Sequence, residues 1–202
     1  MKIVELNEIA NKVVSGTVIS RVECRNNEIK VGEVDFLPLK SITCGMIDMD
    51  EVKKIDIAKQ VQQEKMTNYG DIILKMNQPY DSVYVEREFS GLLIPSFCCL
   101  LRTVDRTMVD PYYLVSYLNS KFAKEYLMTS NRASAASLLK IGDIKKLPIP
   151  LPDLSEQIAI GKIFMSCSER QVILSKMKKH EMELVENIVM DAVREVFEHE
   201  KY

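Results

Sequence analysis

Apolar residues recur along this chain with two different periods, and the switch between them divides it. From Leu154 to about Phe197 there is no proline, and Gly161 is the only glycine. Met182, Val185, Val189, Ala192 and Val196 follow one another at helical spacing of three or four, and Ile158, Met165 and Val172 form a second row seven apart. This pattern predicts one long helix; at 1.5 Å per residue it would span about 66 Å. Ser168, Gln171, Ser175 and Lys178 interrupt the stripe, so it reads as an imperfect coiled-coil seam. Either the helix folds back on its own domain, or it pairs with a helix of a second copy or a different subunit. Its length favours pairing.

Upstream the period is mixed. "VVSGTVISRVECRNNEIKVG" reads as strand–turn–strand, on its β-branched residues and its Gly and Asn-Asn. "DEVKKIDIAKQVQQEKM" has helix-like spacing and stops before Asn68-Tyr69-Gly70. "DIILKM", "SVYVE" and "GLLIPSFCCLLRTV" read as strands. Asp110-Pro111 opens a helix, with Asp as N-cap and Pro in the first position, and Leu114, Tyr117, Leu118 and Phe122 make its stripe. "MTSNRASAASLLKIGD" reads as a loop of small polar residues. In "KKLPIPLPDLSEQ", Pro148, Pro150 and Pro152 alternate with apolar residues, which fits an extended edge or linker, and Asp153 stands three before Glu156 as a capping-box-like start. The expected fold is α+β: one mixed α/β domain over residues 1–152, followed by a long coiled-coil-type helix over 153–202.

Composition narrows the class. The hydrophobic fraction is 47% and the charged fraction 28%, enough for a real core across 202 residues. The N-terminus is charged throughout, with no apolar signal region, and the longest apolar run, "GLLIPSFCCLL", is broken by Pro95 and too short to span a bilayer. Five cysteines with no CxxC pair suggest a reduced, cytoplasmic protein without a zinc site. Residues 1–150 hold 20 Lys+Arg against 19 Asp+Glu, and 151–202 hold 7 against 10, so the overall −2 sits in the tail. Any nucleic-acid surface is therefore a local patch in the first part.

"DIILKMNQPYDSVYV", residues 71–85, imitates the strand-then-Asn-Pro-Pro-Tyr stretch with which adenine methyltransferases hold a flipped base. Methyl transfer also needs a donor, normally held on a glycine-rich turn between strand and helix. The seven glycines, at 16, 32, 45, 70, 91, 142 and 161, form no Gly-x-Gly, and Gln78 stands where the first proline belongs. Asp35 with Glu51-Val52-Lys53 mimics a nuclease acid pair plus lysine but reads as a solvated face. His180 and His199 lie on the charged C-terminal helix, with no second histidine elsewhere to serve a nucleophile, and no GxxxxGK[ST] is present. The residues assemble no active site and call for no cofactor or metal.

What remains suits DNA reading. Arg and Asn pair bidentately with guanine and adenine edges, whereas lysine mostly meets phosphates. Candidate contacts, chosen by residue type and placement near turns, are Arg21, Arg25, Lys75, Asn77, Gln78, Tyr80, Arg87, Asn131, Arg132 and Lys140.

Three stretches resemble the specificity subunit of type I restriction–modification systems. "VELNEIANKVVSGTVISR" is similar to that family's opening short helix and Ser-Gly turn, and "YGDIILKM" to its Gly-Asp-hydrophobic strand. "DPYYLVSYLNS…SNRASAASLLKIGDIKKLPIPLPDLSEQIAIGKI" resembles the end of a target recognition domain entering the spacer helix, with Ile-Pro-Leu-Pro-x-Leu-x-Glu-Gln at 149–157 the most specific part. The family ordinarily has two such domains, each followed by a helix, the two helices pairing antiparallel; this chain holds one. The resemblance implies a non-catalytic, sequence-specific recognition subunit that reads one half of a bipartite double-stranded DNA target. It implies a homodimer, or pairing with another half subunit, and as partners the modification (methyltransferase) subunits and the motor-nuclease subunit, with no membrane. Two other readings stay open: an assembly half subunit that joins through its helix without reading DNA, as a decoy or swappable cassette, and a DNA adenine methyltransferase.

Overall fold

A computed structural model describes residues 2–25, 28–132 and 138–199, the side chains of Thr103, Asn131, Arg132 and 195–199 excepted. The chain divides into two compact units, Met1–Met165 and Ser166–Tyr202.

The centre of the first unit is a four-stranded antiparallel sheet of order β2-β9-β7-β8, formed by β2 (Ala10–Ser15), β7 (Ile72–Lys75), β8 (Ser82–Tyr84) and β9 (Cys98–Val104). Its register puts Ile72 between Leu101 and Tyr84, and Ile73 between Leu100 and Val83. Ile72, Leu74, Cys99 and Leu101 point into one hydrophobic cluster; Ile73, Val83, Cys98 and Leu100 point into another. A sheet covered on both faces needs apolar side chains at consecutive positions, which is why "DIIL" and "CCLL" run without alternation. Each of Ile72, Ile73, Leu100 and Leu101 is wholly buried, contributing about 1.5–3 kcal/mol apiece.

Over the first face lie the helices α1 (Leu6–Ile9), α2 (Pro111–Leu118), α3 (Lys121–Arg132) and α4 (Ile141–Lys145), with the pair β1 (Lys2–Glu5) and β10 (Pro148–Leu151). Over the second lie two small antiparallel pairs, β3 (Gly32–Phe36) with β6 (Lys53–Ile57) and β4 (Ile42–Thr43) with β5 (Met46–Ile47). The fifth helix, α5, runs from Leu154 to His199. The α+β class and the long C-terminal helix therefore stand.

Three local expectations need correction. Residues 53–57 form a strand, not a helix: Ile55 pairs with Val34 and Ile57 with Gly32, so tertiary pairing overrides the helical spacing of Val52 and Ile55. The helix opened by Asp110, whose side chain accepts from the Tyr113 N–H at 2.9 Å, breaks at Asn119-Ser120. There Asn119 turns its amide onto the Ser82 backbone, accepting from its N–H at 3.0 Å and donating to its carbonyl at 2.9 Å. α3 then continues through Met128–Arg132, and α4 takes up Ile141–Lys145, so much of the expected loop is helical; residues 133–137 lie outside the described residues. Of the two alternatives for the proline-rich stretch, the edge strand is the one found, packed into the fold. Ile149 is wholly buried, and the Pro148 and Pro150 carbonyls accept from the Tyr117 and Tyr113 hydroxyls, each at 2.6 Å.

The quoted motifs have structural reasons. A Cβ on Gly16 would lie 2.1 Å from the Pro95 carbonyl oxygen, so only glycine fits where the chain leaves β2. Gly70 has φ of +91°, a value glycine adopts without a Cβ clash. Asp71, buried, accepts from Arg102 Nε at 3.1 Å and from the Asn68 N–H at 2.8 Å, and Arg102 Nη1 donates to the Glu64 carbonyl at 2.9 Å. Removing one partner of such a buried pair costs about 3–5 kcal/mol. Gln157, also buried, accepts from the Asp110 N–H at 2.9 Å and donates to the Pro152 carbonyl at 2.8 Å. On the same helix a Cβ at Gly161 would lie 2.9 Å from the Tyr113 nitrogen, so α5 crosses the start of α2 at backbone contact.

Candidate nucleic-acid interface

The antiparallel register assigns turns to the two ends of the central sheet. At the end marked by Lys75, Cys98 and Ser15, three turns meet. The β7–β8 turn carries Asn77, Gln78 and Pro79. The turn before β9 carries Ser96 and Phe97, whose carbonyl accepts from the Met76 N–H at 2.7 Å. The segment after β2 joins it where the Ser96 N–H donates to the Thr17 carbonyl at 2.8 Å. The chain returning from α3 adds a fourth piece: the Leu139 N–H donates to the Met76 carbonyl at 2.9 Å, which sets exposed Lys140 beside this end.

Within the first turn, chemistry separates the candidates. Gln78 and Pro79 are exposed, and a pocket of about 490 Å³ opens beside them, with Asn119, Lys121, Lys124 and Met128 on its wall. Asn77 is half-buried, and its Oδ1 has no hydrogen-bond partner among the described residues. Two candidates are buried. Lys75 is 8% exposed and its ammonium lies 3.4 Å from Asp81, which also takes Lys124 at 2.7 Å. Tyr80, at φ +57°, is 3% exposed and turned into the core. Placed so, the ion pair and the ring hold the turn.

Arg21 and Arg25 are exposed on the segment that leaves this end, which then runs along β6, the Cys24 N–H donating to the Asp56 carbonyl at 2.8 Å. Arg25 Nη2 donates to the Ser20 carbonyl at 3.2 Å. The side chains of Asn131 and Arg132 lie outside the described residues. Residue type alone had not singled out Phe97, 43% exposed, or Lys121 and Lys124; Pro95 breaking an apolar run was the one available sign of the Phe97 turn.

Arg87 lies at the opposite end of the sheet, among aromatics. Its guanidinium stands 4.9 Å from the Tyr69 ring centre and that of Arg106 5.6 Å from the same ring. Arg106 also donates to the Tyr84 hydroxyl at 2.6 Å, and Tyr84 packs on Tyr112 at 5.0 Å between centres. Burial, and then its hydrogen bond with Tyr69, pushes the Tyr84 phenol up to about 12. The same bond, then the contact with Arg106, pulls Tyr69 down. Tyr112, half-buried and donating to Glu86, is pushed up, by desolvation first and then by that bond.

The family described as the type I restriction modification DNA specificity domain matches residues 1–184. The chain belongs to that family. It is 25% identical, over 98% of its length, to a protein of Methanocaldococcus jannaschii named for the specificity subunit of the type I restriction enzyme MjaX, and covers 47% of that protein. Its fold is shared with the HsdS subunit from Thermoanaerobacter tengcongensis (TM-score 0.62, 18% identity, 87% of this chain and 44% of that one). A chain solved in work on complex assembly and conformational transition of the type I R-M system matches at TM-score 0.62 and 18% identity, over 96% of this chain and 49% of that one. The chain thus spans about half the length of the relatives it matches.

In this specificity domain the first turns of α5 belong to the globular unit, with Ile160 and Phe164 packed against the core. Of the expected helix row, Ile158, Met182, Val185, Val189 and Ala192 are exposed, Met165 and Val172 are half-buried, and the side chain of Val196 lies outside the described residues. Ile173, Leu174, Met177, Leu184, Ile188 and Val193 are exposed as well, so the apolar face is wider than the single seam expected. Among the described residues no helix is long and apolar enough to cross a membrane.

Proposed function

We propose that this specificity domain reads one half of a bipartite double-stranded DNA target and contributes no chemistry of its own. Two copies, paired antiparallel through α5, would set two reading ends apart and bridge the modification subunits of a cytoplasmic complex that also recruits the motor-nuclease subunit. A two-fold arrangement presents identical half-sites in inverted order. The observation that carries the reading is the gathering of exposed turns at one end of a sheet buried on both faces. Rigid strands there hold an amide, a cation and an aromatic, on Gln78, Lys140 and Phe97, in fixed relation. The exposed apolar face of α5 supports the pairing, because some twenty residues of helix leave large side chains in water.

The test is duplex selection from a random pool, with the full chain and its modification subunit. A two-part motif with a fixed gap is the expected outcome. Retention of DNA with no enriched motif would sink the recognition reading and leave an assembly role.

A further inference from the structure

Phe97 is an aromatic ring left 43% exposed at the end of the sheet where the turns gather. Its turn is closed on itself and on its neighbours. The Cys98 N–H donates to the Pro95 carbonyl at 2.9 Å, and the Thr17 N–H donates to the Ile94 carbonyl at 2.9 Å. With the bonds from Met76 and Ser96, these fix the Phe97 backbone between two flanking segments. The ring therefore stands in water on a rigid base. In strand order β9 lies between β2 and β7, so Phe97 falls between the segment after β2 and the turn bearing Gln78. Toward the first, it walls an apolar recess of about 370 Å³ with Val18, Phe36, Pro38 and Leu39. Toward the second, the Met76 N–H donates to its carbonyl at 2.7 Å, and exposed Gln78 stands two residues beyond Met76.

Adjoining strands lie about 4.8 Å apart, and successive base pairs about 3.4 Å. Side chains from the two turns therefore fall on one base pair or on neighbouring ones. The two ask for different chemistry. A glutamine amide pairs bidentately with the N6 and N7 edge of adenine, whereas a phenyl ring makes no hydrogen bond to a base edge. The apolar group that an unmodified duplex shows in its major groove is the C5 methyl of thymine. Adenine and thymine share a pair, so an amide beside a ring matches the two halves of one A·T pair, or two adjacent pairs. Wedging between base steps is the other use of such a ring. It would need the whole ring clear of the protein, and more than half of Phe97 is covered. We propose that Phe97 determines specificity, its ring covering the C5 methyl of a thymine in the half-site beside the adenine edge taken by Gln78. That thymine is then read by its methyl group. The contact rests on the duplex reading proposed above.

The test uses the full chain with its modification subunit and the duplex enriched from the random pool. Each thymine of one half-site is replaced in turn by deoxyuridine, which removes the methyl and keeps the hydrogen-bonding edge. At one position the replacement should weaken binding about fourfold, as the loss of one buried methyl implies. Phe97→Ala should bind the thymine duplex more weakly and no longer distinguish thymine from deoxyuridine there, while Phe97→Leu keeps part of the distinction. Gln78→Ala should relax preference at the same or the next pair and still sense the methyl. Circular dichroism melts check that each variant folds. A motif whose thymines all tolerate deoxyuridine, or a methyl preference that survives Phe97→Ala, overturns the contact and spares the reading end. A 2-aminopurine in the motif that brightens with the wild type and not with Phe97→Ala would put the ring between base pairs, and overturn it. Failure of folded Phe97→Ala to assemble with the modification subunit would give the recess to that partner, again overturning it. If no motif is enriched at all, the reading and this contact fall together.

Discussion

Gln157 shows what the Leu-Ser-Glu-Gln segment is for. Its side-chain oxygen takes the Asp110 N–H, and its amide donates to the Pro152 carbonyl at 2.8 Å and the Met108 carbonyl at 3.3 Å. One buried amide thereby ties together the strand end before α5, the approach to α2 and α5 itself. Gln157→Ala leaves those backbone groups unpaired in a dry site, where each orphan carries a penalty of about 1–3 kcal/mol. Urea unfolding should show a loss in that range, and an unchanged midpoint would mean that water replaces the amide. A second residue-scale expectation concerns alkali. Burial pushes the Cys98 thiol from its ordinary 9.0 up to about 12. The folded chain therefore holds a proton that the unfolded chain releases first, so stability falls with pH. The contribution is fully present below pH 9 and is lost as pH rises toward 12. Melting temperature measured across that window should drop, and drop less in Cys98→Ala.

Elements differ in how far local sequence decides them. α5 was legible because forty-six residues without proline, holding one glycine, leave the backbone no other regular option. The double-buried strands were legible from their unbroken apolar runs. Residues 53–57 were not, because Lys-Lys-Ile-Asp-Ile satisfies both periods and only the β3 partner chooses between them. Nor was the fate of Lys75 legible. Its partner Asp81 is six residues on, and the two meet only because the hairpin closes. Asn119 ended a helix that periodicity would continue, for the sake of the Ser82 backbone across the sheet. For α5 the element-scale prediction is sharp. Val185 is exposed, so proline there removes little packing within one chain but costs the helix about 3 kcal/mol or more. Light scattering should move from near twice 23.1 kDa toward 23.1 kDa for Val185→Pro. A dimer that survives the proline would place the contact elsewhere.

For the whole molecule, charge sets how DNA affinity and DNA specificity divide. Residues 1–150 carry a net charge of only +1, so little counterion release is available to one reading domain, and non-specific affinity is mainly such release. The partner subunits would then supply most of the electrostatic field, and the reading end would supply discrimination. That division separates two substitutions at the same end of the sheet. Gln78→Ala removes an amide suited to a base edge. In complex with the modification subunit it should relax preference at one position of the motif by about 1–3 kcal/mol and leave the salt dependence alone. Lys140→Ala removes an exposed cation suited to a phosphate. It should weaken binding evenly across sequences and lower the slope of log K against log salt by about 1. Filter binding across a salt series, on matched and single-mismatch duplexes, reads both at once. If Lys140→Ala altered the motif while Gln78→Ala altered only the slope, the roles given to the two residues would have to be exchanged. If neither did anything, the turns at the Lys75 end of the sheet would not be where this domain meets DNA.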